Sequence, residues 1–183
     1  MKKKRFISML ICIAMVVTMA PCIVSAADGV AINATNFPDA NFKNYVSNTF
    51  DTSSDGFLSA SEIADTTTIF VPRESISSLE GIEYFTALTD LCCTDNLLTS
   101  LDVSNNTALT VLACSNNNLT TLDVSNNTSL TSLWCGGNNL TTLDVSNNTV
   151  LESLNCGENN LTTLDVSNNT DLTVLWCNLN NLS

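Results

Sequence analysis

The heptapeptide Leu-Asp-Val-Ser-Asn-Asn-Thr begins at residues 101, 122, 143 and 164, and this fixed interval of 21 residues constrains the fold more than any other feature of the chain. A repeat of that length is one supersecondary unit that cannot bury its apolar face alone, so it must stack on its neighbours. The skeleton L-x-x-L-x-C-x-x-N-x-L is carried by Leu109, Leu112, Cys114, Asn117 and Leu119, then by Leu130, Leu133, Cys135, Asn138 and Leu140, and by Leu151, Leu154, Cys156, Asn159 and Leu161. Leu88, Leu91, Cys93, Asn96 and Leu98 lead the series, and Leu172, Leu175, Cys177, Asn180 and Leu182 close it. A second period lies inside the first. Leu98, Leu101, Val103 and Asn106 share the spacing of Leu109, Leu112, Cys114 and Asn117, dividing each coil into halves of 11 and 10 residues. Both halves alternate apolar and polar positions at period two, which predicts two short parallel strands per coil. Asparagine suits the corners, because its amide bonds the backbone where the chain turns. Stacking then produces two ladders, one through Asn96, Asn117, Asn138, Asn159 and Asn180, the other through Asn106, Asn127, Asn148 and Asn169.

On these residues the chain resembles the leucine-rich repeats, in particular a bacterial 21-residue class, over residues 67–183. The resemblance implies an α/β repeat fold: a leucine-rich repeat solenoid with short parallel strands. Residues 67–87 read as a first, divergent coil, since Ile69, Val71, Ile76 and Leu79 stand 22 residues before Leu91, Cys93, Leu98 and Leu101. Leu79-Glu80-Gly81-Ile82 followed by Leu88 is similar to internalin-type repeats.

At the N-terminus, Lys2-Lys3-Lys4-Arg5 precedes an apolar run from Phe6 to Ala20, and Val24-Ser25-Ala26 has the small-residue pattern of a cleavage site. Residues 1–26 are therefore read as a secretory signal peptide, and the mature chain as secreted or cell-surface with no transmembrane segment. Four of the six basic residues leave with that segment. Lys43 and Arg73 remain against 18 acids, a net charge of −16 (2 against 18), which excludes nucleic acid as a partner. With no His, no G-x-S-x-G and no C-x-x-C, the usual nucleophile, base and zinc constellations cannot be assembled, and the chain is read as a non-enzyme.

Residues 27–66 are expected to form a helical cap. Its first residues, Ala27 to Thr35, read as a mobile terminus. Asn36 then caps a helix whose Phe42, Val46 and Phe50 fall at i, i+4 and i+8, an aromatic face for the first coil. The segment from Asp51 to Glu62 resembles an EF-hand calcium loop, with Asp at positions one and five, Gly56 at six, a hydrophobic residue at eight and Glu at twelve. Ser53 departs from the preferred Asp or Asn at position three. The ligands implied by that resemblance are Asp51, Ser53, Asp55, the Phe57 carbonyl, Ser59 through water, and Glu62. With three carboxylates and no partner loop, the Ca2+ site would be weak. Ser59-Ala60-Ser61-Glu62 reads equally as a capping box at the start of a second helix.

Three sets of residues in the solenoid compete for a functional role. Cys93, Cys114, Cys135, Cys156 and Cys177 occupy one inward position and Cys92 points outward. Stacked coils about 4.8 Å apart hold parallel Cβ vectors, unsuited to disulfides, so the ladder thiols are expected to be free, buried apolar groups. Asp102, Asp123, Asp144 and Asp165 form an outward acidic ladder that repels itself, attracts cations loosely and titrates as a coupled set. The outward positions of the other strand vary from coil to coil and include Trp134, Asn155 and Trp176, with the two Trp about 9.6 Å apart. Varying residues on a fixed scaffold suit recognition, and exposed Trp favours a peptide or sugar contact. The far end, around Leu172, Leu175 and Cys177, presents an uncovered edge that a longer chain or self-association would close.

The resemblance implies an exported binding or adhesion module that recognises an extracellular protein or glycan. The alternative is the targeting fragment of a larger secreted enzyme or polysaccharide-degrading complex, with a dockerin-like calcium loop.

Overall fold

The computed structural model describes residues 29–183, so the signal-peptide reading of residues 1–26 lies outside the described residues. Within this span a small cap leads into a solenoid whose six strands form one parallel sheet in chain order. The cap comprises β1 (Val30–Ala31), α1 (Ala40–Thr49), β2 (Phe57–Leu58) and α2 (Ala60–Asp65). The solenoid strands are β3 (Thr68–Phe70), β4 (Asp90–Cys92), β5 (Val111–Ala113), β6 (Ser132–Trp134), β7 (Ser153–Asn155) and β8 (Val174–Trp176).

Two expectations for the cap are corrected. Residues 29–35 are tied down: Val30 pairs with Leu58 and Ala31 with Phe57 in an antiparallel ribbon, and Val30 and Ile32 pack against the core. Apolar side chains, missed in a segment judged by its polarity, hold it there. The cap of α1 is Asp39, whose Oδ1 accepts the N–H groups of Asn41 and Phe42 at 2.9 and 3.0 Å. Asn36 instead donates to the Ala31 carbonyl at 2.8 Å. Pro38 explains the shift, because the residue before a proline is steered away from helical backbone, so Phe37 cannot begin the helix.

The helix does lay its apolar face on the first coil. Phe42 and Val46 are fully buried, and Phe50 meets Phe85 with ring centroids 5.4 Å apart. Asp39 Oδ2 accepts both the N–H and the hydroxyl of Ser77 at 2.8 Å, joining cap to solenoid by a charged acceptor. Gly81 is left-handed at φ 103°, and a side chain there would strike the Phe37 ring.

The coils keep the register expected from the repeat. Thr68, Ile69 and Phe70 pair with Asp90, Leu91 and Cys92, the 22-residue step, and each later strand pairs with residues 21 further on. The central leucines Leu91, Leu112, Leu133 and Leu154 are buried, each burial contributing about 2 kcal/mol. The second strand per coil does not form. Where Leu-Asp-Val-Ser was expected to pair, Asp102, Asp123, Asp144 and Asp165 each accept the N–H of the serine two residues on at 2.9 Å. That local bond removes a donor from any ladder, and the Val103 carbonyl is already taken by the Asn106 N–H and the Asn127 amide.

Both asparagine ladders are present and differ. Asn117, Asn138 and Asn159 each accept a backbone N–H on Oδ1 (from Leu98, Leu119 and Leu140) and donate through Nδ2 to the carbonyls of two ladder cysteines. In the other ladder Nδ2 of Asn127, Asn148 and Asn169 likewise bridges two carbonyls of the preceding coil. There Oδ1 is buried and accepts nothing among the described residues.

Candidate functional site

The EF-hand-like loop closes on itself. Asp51 is nearly buried; its Oδ1 accepts from the Ser53 hydroxyl at 3.3 Å and the Asp55 N–H at 3.1 Å, and its Oδ2 from the Gly56 N–H at 2.9 Å. Asp55 turns back to the Phe57 N–H at 2.9 Å. Glu62 is the most heavily used. Its Oε1 accepts the Thr52 N–H and hydroxyl at 2.8 Å and the Ser53 N–H at 3.2 Å, and its Oε2 accepts the N–H and hydroxyl of Ser59, both at 2.8 Å. The Ser59 N–H, foremost among these donors, draws the carboxyl of Glu62 down to about 2. The capping box expected at Ser59 and Glu62 is complete.

An all-oxygen donor set suits a hard cation in kind. In placement it does not: the carboxylate oxygens are aimed at the loop's own N–H groups, and no three His, Cys, Asp or Glu among the described residues converge on a point that could hold a metal. A calcium ion would require Glu62 to release Thr52 and Ser53.

The six cysteines among the described residues are free thiols. Cys93, Cys114, Cys135 and Cys156 are buried, while Cys92 and Cys177 are half-buried. Burial pushes the thiols of Cys93, Cys114 and Cys135 far above the range in which a thiolate forms, and that of Cys156 up to about 11. They act as small apolar side chains rather than nucleophiles.

On the acidic face each carboxyl is held by its own serine. For Asp102, Asp123 and Asp144 the hydroxyl of the serine two residues on is the larger cause and its N–H the second; for Asp165 the order reverses. All four are lowered. Repulsion from ladder neighbours acts the other way at Asp102 and Asp144 but is outweighed by the local bonds.

Trp134, Asn155 and Trp176 are brought together. They are direct partners in the sheet register, continuing the row from Cys92 and Ala113. Trp134 is 42% exposed and Trp176 55%, with Asn155 half-buried between them. The Trp134 Nε1–H reaches the Ser153 hydroxyl at 3.4 Å.

Beside this row the chain leaves each strand through a corner whose second residue is left-handed: Asn116, Gly137, Glu158 and Leu179 have φ of 54°, 66°, 54° and 55°. A groove of about 460 Å³ opens over these corners, bordered by Asn155 and Trp176. Sequence reasoning missed it. The available signal was Gly136-Gly137 and Gly157, small residues at corner positions where the neighbouring coils carry Ser115-Asn116 and Asn178-Leu179. A Cβ on Gly136 would stand 2.9 Å from Asn155 Oδ1 and 3.1 Å from the Gly157 carbonyl oxygen, so glycine is what lets the Asn155 amide lie across the groove.

Comparison with known proteins bears on the whole arrangement. Residues 110–133 match the LVIVD repeat model. Internalin J of Listeria monocytogenes is 48% identical over 70 residues, 38% of this chain and 8% of that protein. The crystal structure of an internalin (InlF) of Listeria monocytogenes superposes with a TM-score of 0.75 at 29% identity, covering 86% of this chain and 48% of that one. The solenoid is similar to the leucine-rich repeats of the internalins. A leucine-rich repeat protein of Leptospira interrogans gives a TM-score of 0.53 at 26% identity, over 57% of this chain and 29% of its own. The chain spans about half the length of the InlF structure and a small part of Internalin J. In this internalin-like solenoid no described helix is long and apolar enough to cross a membrane.

Proposed function

We propose that the chain is an exported recognition module whose extracellular partner seats on the face of β6 to β8 carrying Trp134, Asn155 and Trp176. The observation behind this reading is the direct register of those three residues, with both indoles exposed and with Leu133 and Leu154 buried at the centres of β6 and β7. Large amphipathic rings on a stiff scaffold supply contact area at small entropic cost, the usual basis of a binding hot spot. The acidic face repeats nearly the same chemistry in every coil and offers little by which to distinguish partners. Trp134→Ala and Trp176→Ala should each weaken partner binding by about 2 kcal/mol without unfolding the protein, whereas Asp123→Asn changes chiefly its salt dependence. Titration of the mature chain and its variants against any partner recovered by pull-down decides this. Full affinity in both Trp variants removes the assignment.

Calcium binding in the cap belongs to the same reading as a weak, millimolar site, since binding must displace the Glu62 bonds to Thr52 and Ser53. Calcium should then raise the melting temperature of the wild type and leave Glu62→Gln unresponsive. No rise in the wild type would assign the loop to structure alone. Self-association through β8 belongs to the same reading, since Leu175 and Leu182 are both 40% exposed. A single monomeric species in sedimentation at high concentration would exclude it.

A further inference from the structure

We propose that the groove over the corners after β5 to β8 binds an extended chain of neutral sugars, lying across the coils with a ring stacked on Trp176. This rests on the sheet-face reading above and names its ligand class. Trp134 and Trp176 are two strands apart in one register, about 9.6 Å, a step comparable with a disaccharide, and each indole offers the flat apolar surface on which the C–H face of a pyranose packs.

The polar groups between and beside them are neutral amides and one acid. Asn155 Oδ1 accepts the Gly157 N–H at 3.1 Å, which fixes the amide orientation and leaves Nδ2 without an acceptor among the described residues. The Asn178 side chain makes no hydrogen bond there either, and Glu158 stands exposed at the rim. Amide N–H donors with amide and carboxylate acceptors match vicinal hydroxyls, each of which is donor and acceptor at once.

Charge and backbone argue against the other occupants. Lys43 and Arg73, the basic residues of the described chain, lie in the cap and first coil, so an anionic sugar or nucleic acid meets no positive charge at the groove and is repelled by Glu158. β6 and β7 are interior strands with both ladders made, so an extended peptide finds no main-chain groups to pair with on this face. The glycines at 136, 137 and 157 keep side chains off the groove floor.

The protein contains two Trp, both in this row, so its intrinsic fluorescence reports directly on the site. The mature chain would be titrated with cello-, xylo-, manno- and N-acetylchito-hexaose. At least one should give a saturable quench or blue shift, weakened at least tenfold in Trp176→Ala and in Asn155→Ala, largely retained in Trp176→Tyr, and unaltered in Asp144→Asn. No saturable change with any of the four, up to millimolar sugar, overturns the proposal. A protein partner lost in Trp176→Ala but unaffected by excess hexaose would overturn it while leaving the sheet-face reading intact. Partner binding indifferent to both Trp variants removes both.

Discussion

Glu62 shows how a single side chain settles the state of the cap. The residue at the last position of the calcium-like loop is also the third residue of α2, and five donors from Thr52, Ser53 and Ser59 occupy its two oxygens. Its carboxyl is held at about 2 against an ordinary 4.5, chiefly by the Ser59 N–H. A depressed folded value means that the unfolded chain binds the proton first as pH falls. The Glu62 contribution is therefore complete above about pH 4.5 and is lost between there and about pH 2. In urea titrations from pH 6 to pH 2, wild type should lose its advantage over Glu62→Gln across that window. The comparison of the two proteins matters because Asp39 and the four aspartates of the acidic face are lowered as well and contribute to the wild-type slope in both. A constant difference between them would remove Glu62 from the acid response.

At the scale of the coil, the two asparagine ladders do unequal amounts of bonding. Asn138 satisfies three backbone groups: the Leu119 N–H and the carbonyls of Cys114 and Cys135. Asn148 satisfies two, the carbonyls of Val124 and Asn127, while its Oδ1 has no partner among the described residues. Each lost hydrogen bond costs about 1 kcal/mol, so Asn138→Ala should cost about 3 kcal/mol and Asn148→Ala about 2. Urea denaturation midpoints of the two variants test the order. Equal costs would mean that the Leu119 N–H finds another acceptor when Asn138 is removed.

Across the whole molecule the balance of charge is one-sided. Arg73 and Asp95 form the one ion pair among the described residues, at 3.0 Å with the arginine side chain 81% exposed, a geometry of little energetic consequence. Carboxylates far outnumber cations along the solenoid, so screening relieves repulsion instead of breaking attractions. The melting temperature at pH 7 should rise by about 2–4 °C from low salt to about 0.5 M NaCl, the shift that roughly 1 kcal/mol produces in a domain of this size. A fall with salt would show that the ion pair, rather than the acidic excess, dominates.

The sequence by itself determined the solenoid, its 21-residue register, the 22-residue first step, the inward Leu and Cys positions and both asparagine ladders. Those follow from an exact period, which places equivalent residues at equivalent positions whatever the details of the turn. It also placed Trp134, Asn155 and Trp176 on one face, because period two fixes the side of a strand. Only the tertiary structure decided features that depend on where hydrogen bonds go. Leu-Asp-Val-Ser has the alternation of a strand, yet Asp102 bonds Ser104 locally and the pairing is lost. Val30 and Ala31 are too few to announce a strand, and find one because Phe57 and Leu58 stand opposite. Asp51, Asp55 and Glu62 have the order of calcium ligands, and only the fold reveals that their oxygens also accept N–H and hydroxyl groups of their own loop. The groove beside Trp176 arises where Gly136 and Gly157 meet the Asn155 amide across coils, a juxtaposition spread over residues 115–178 that no local pattern encodes.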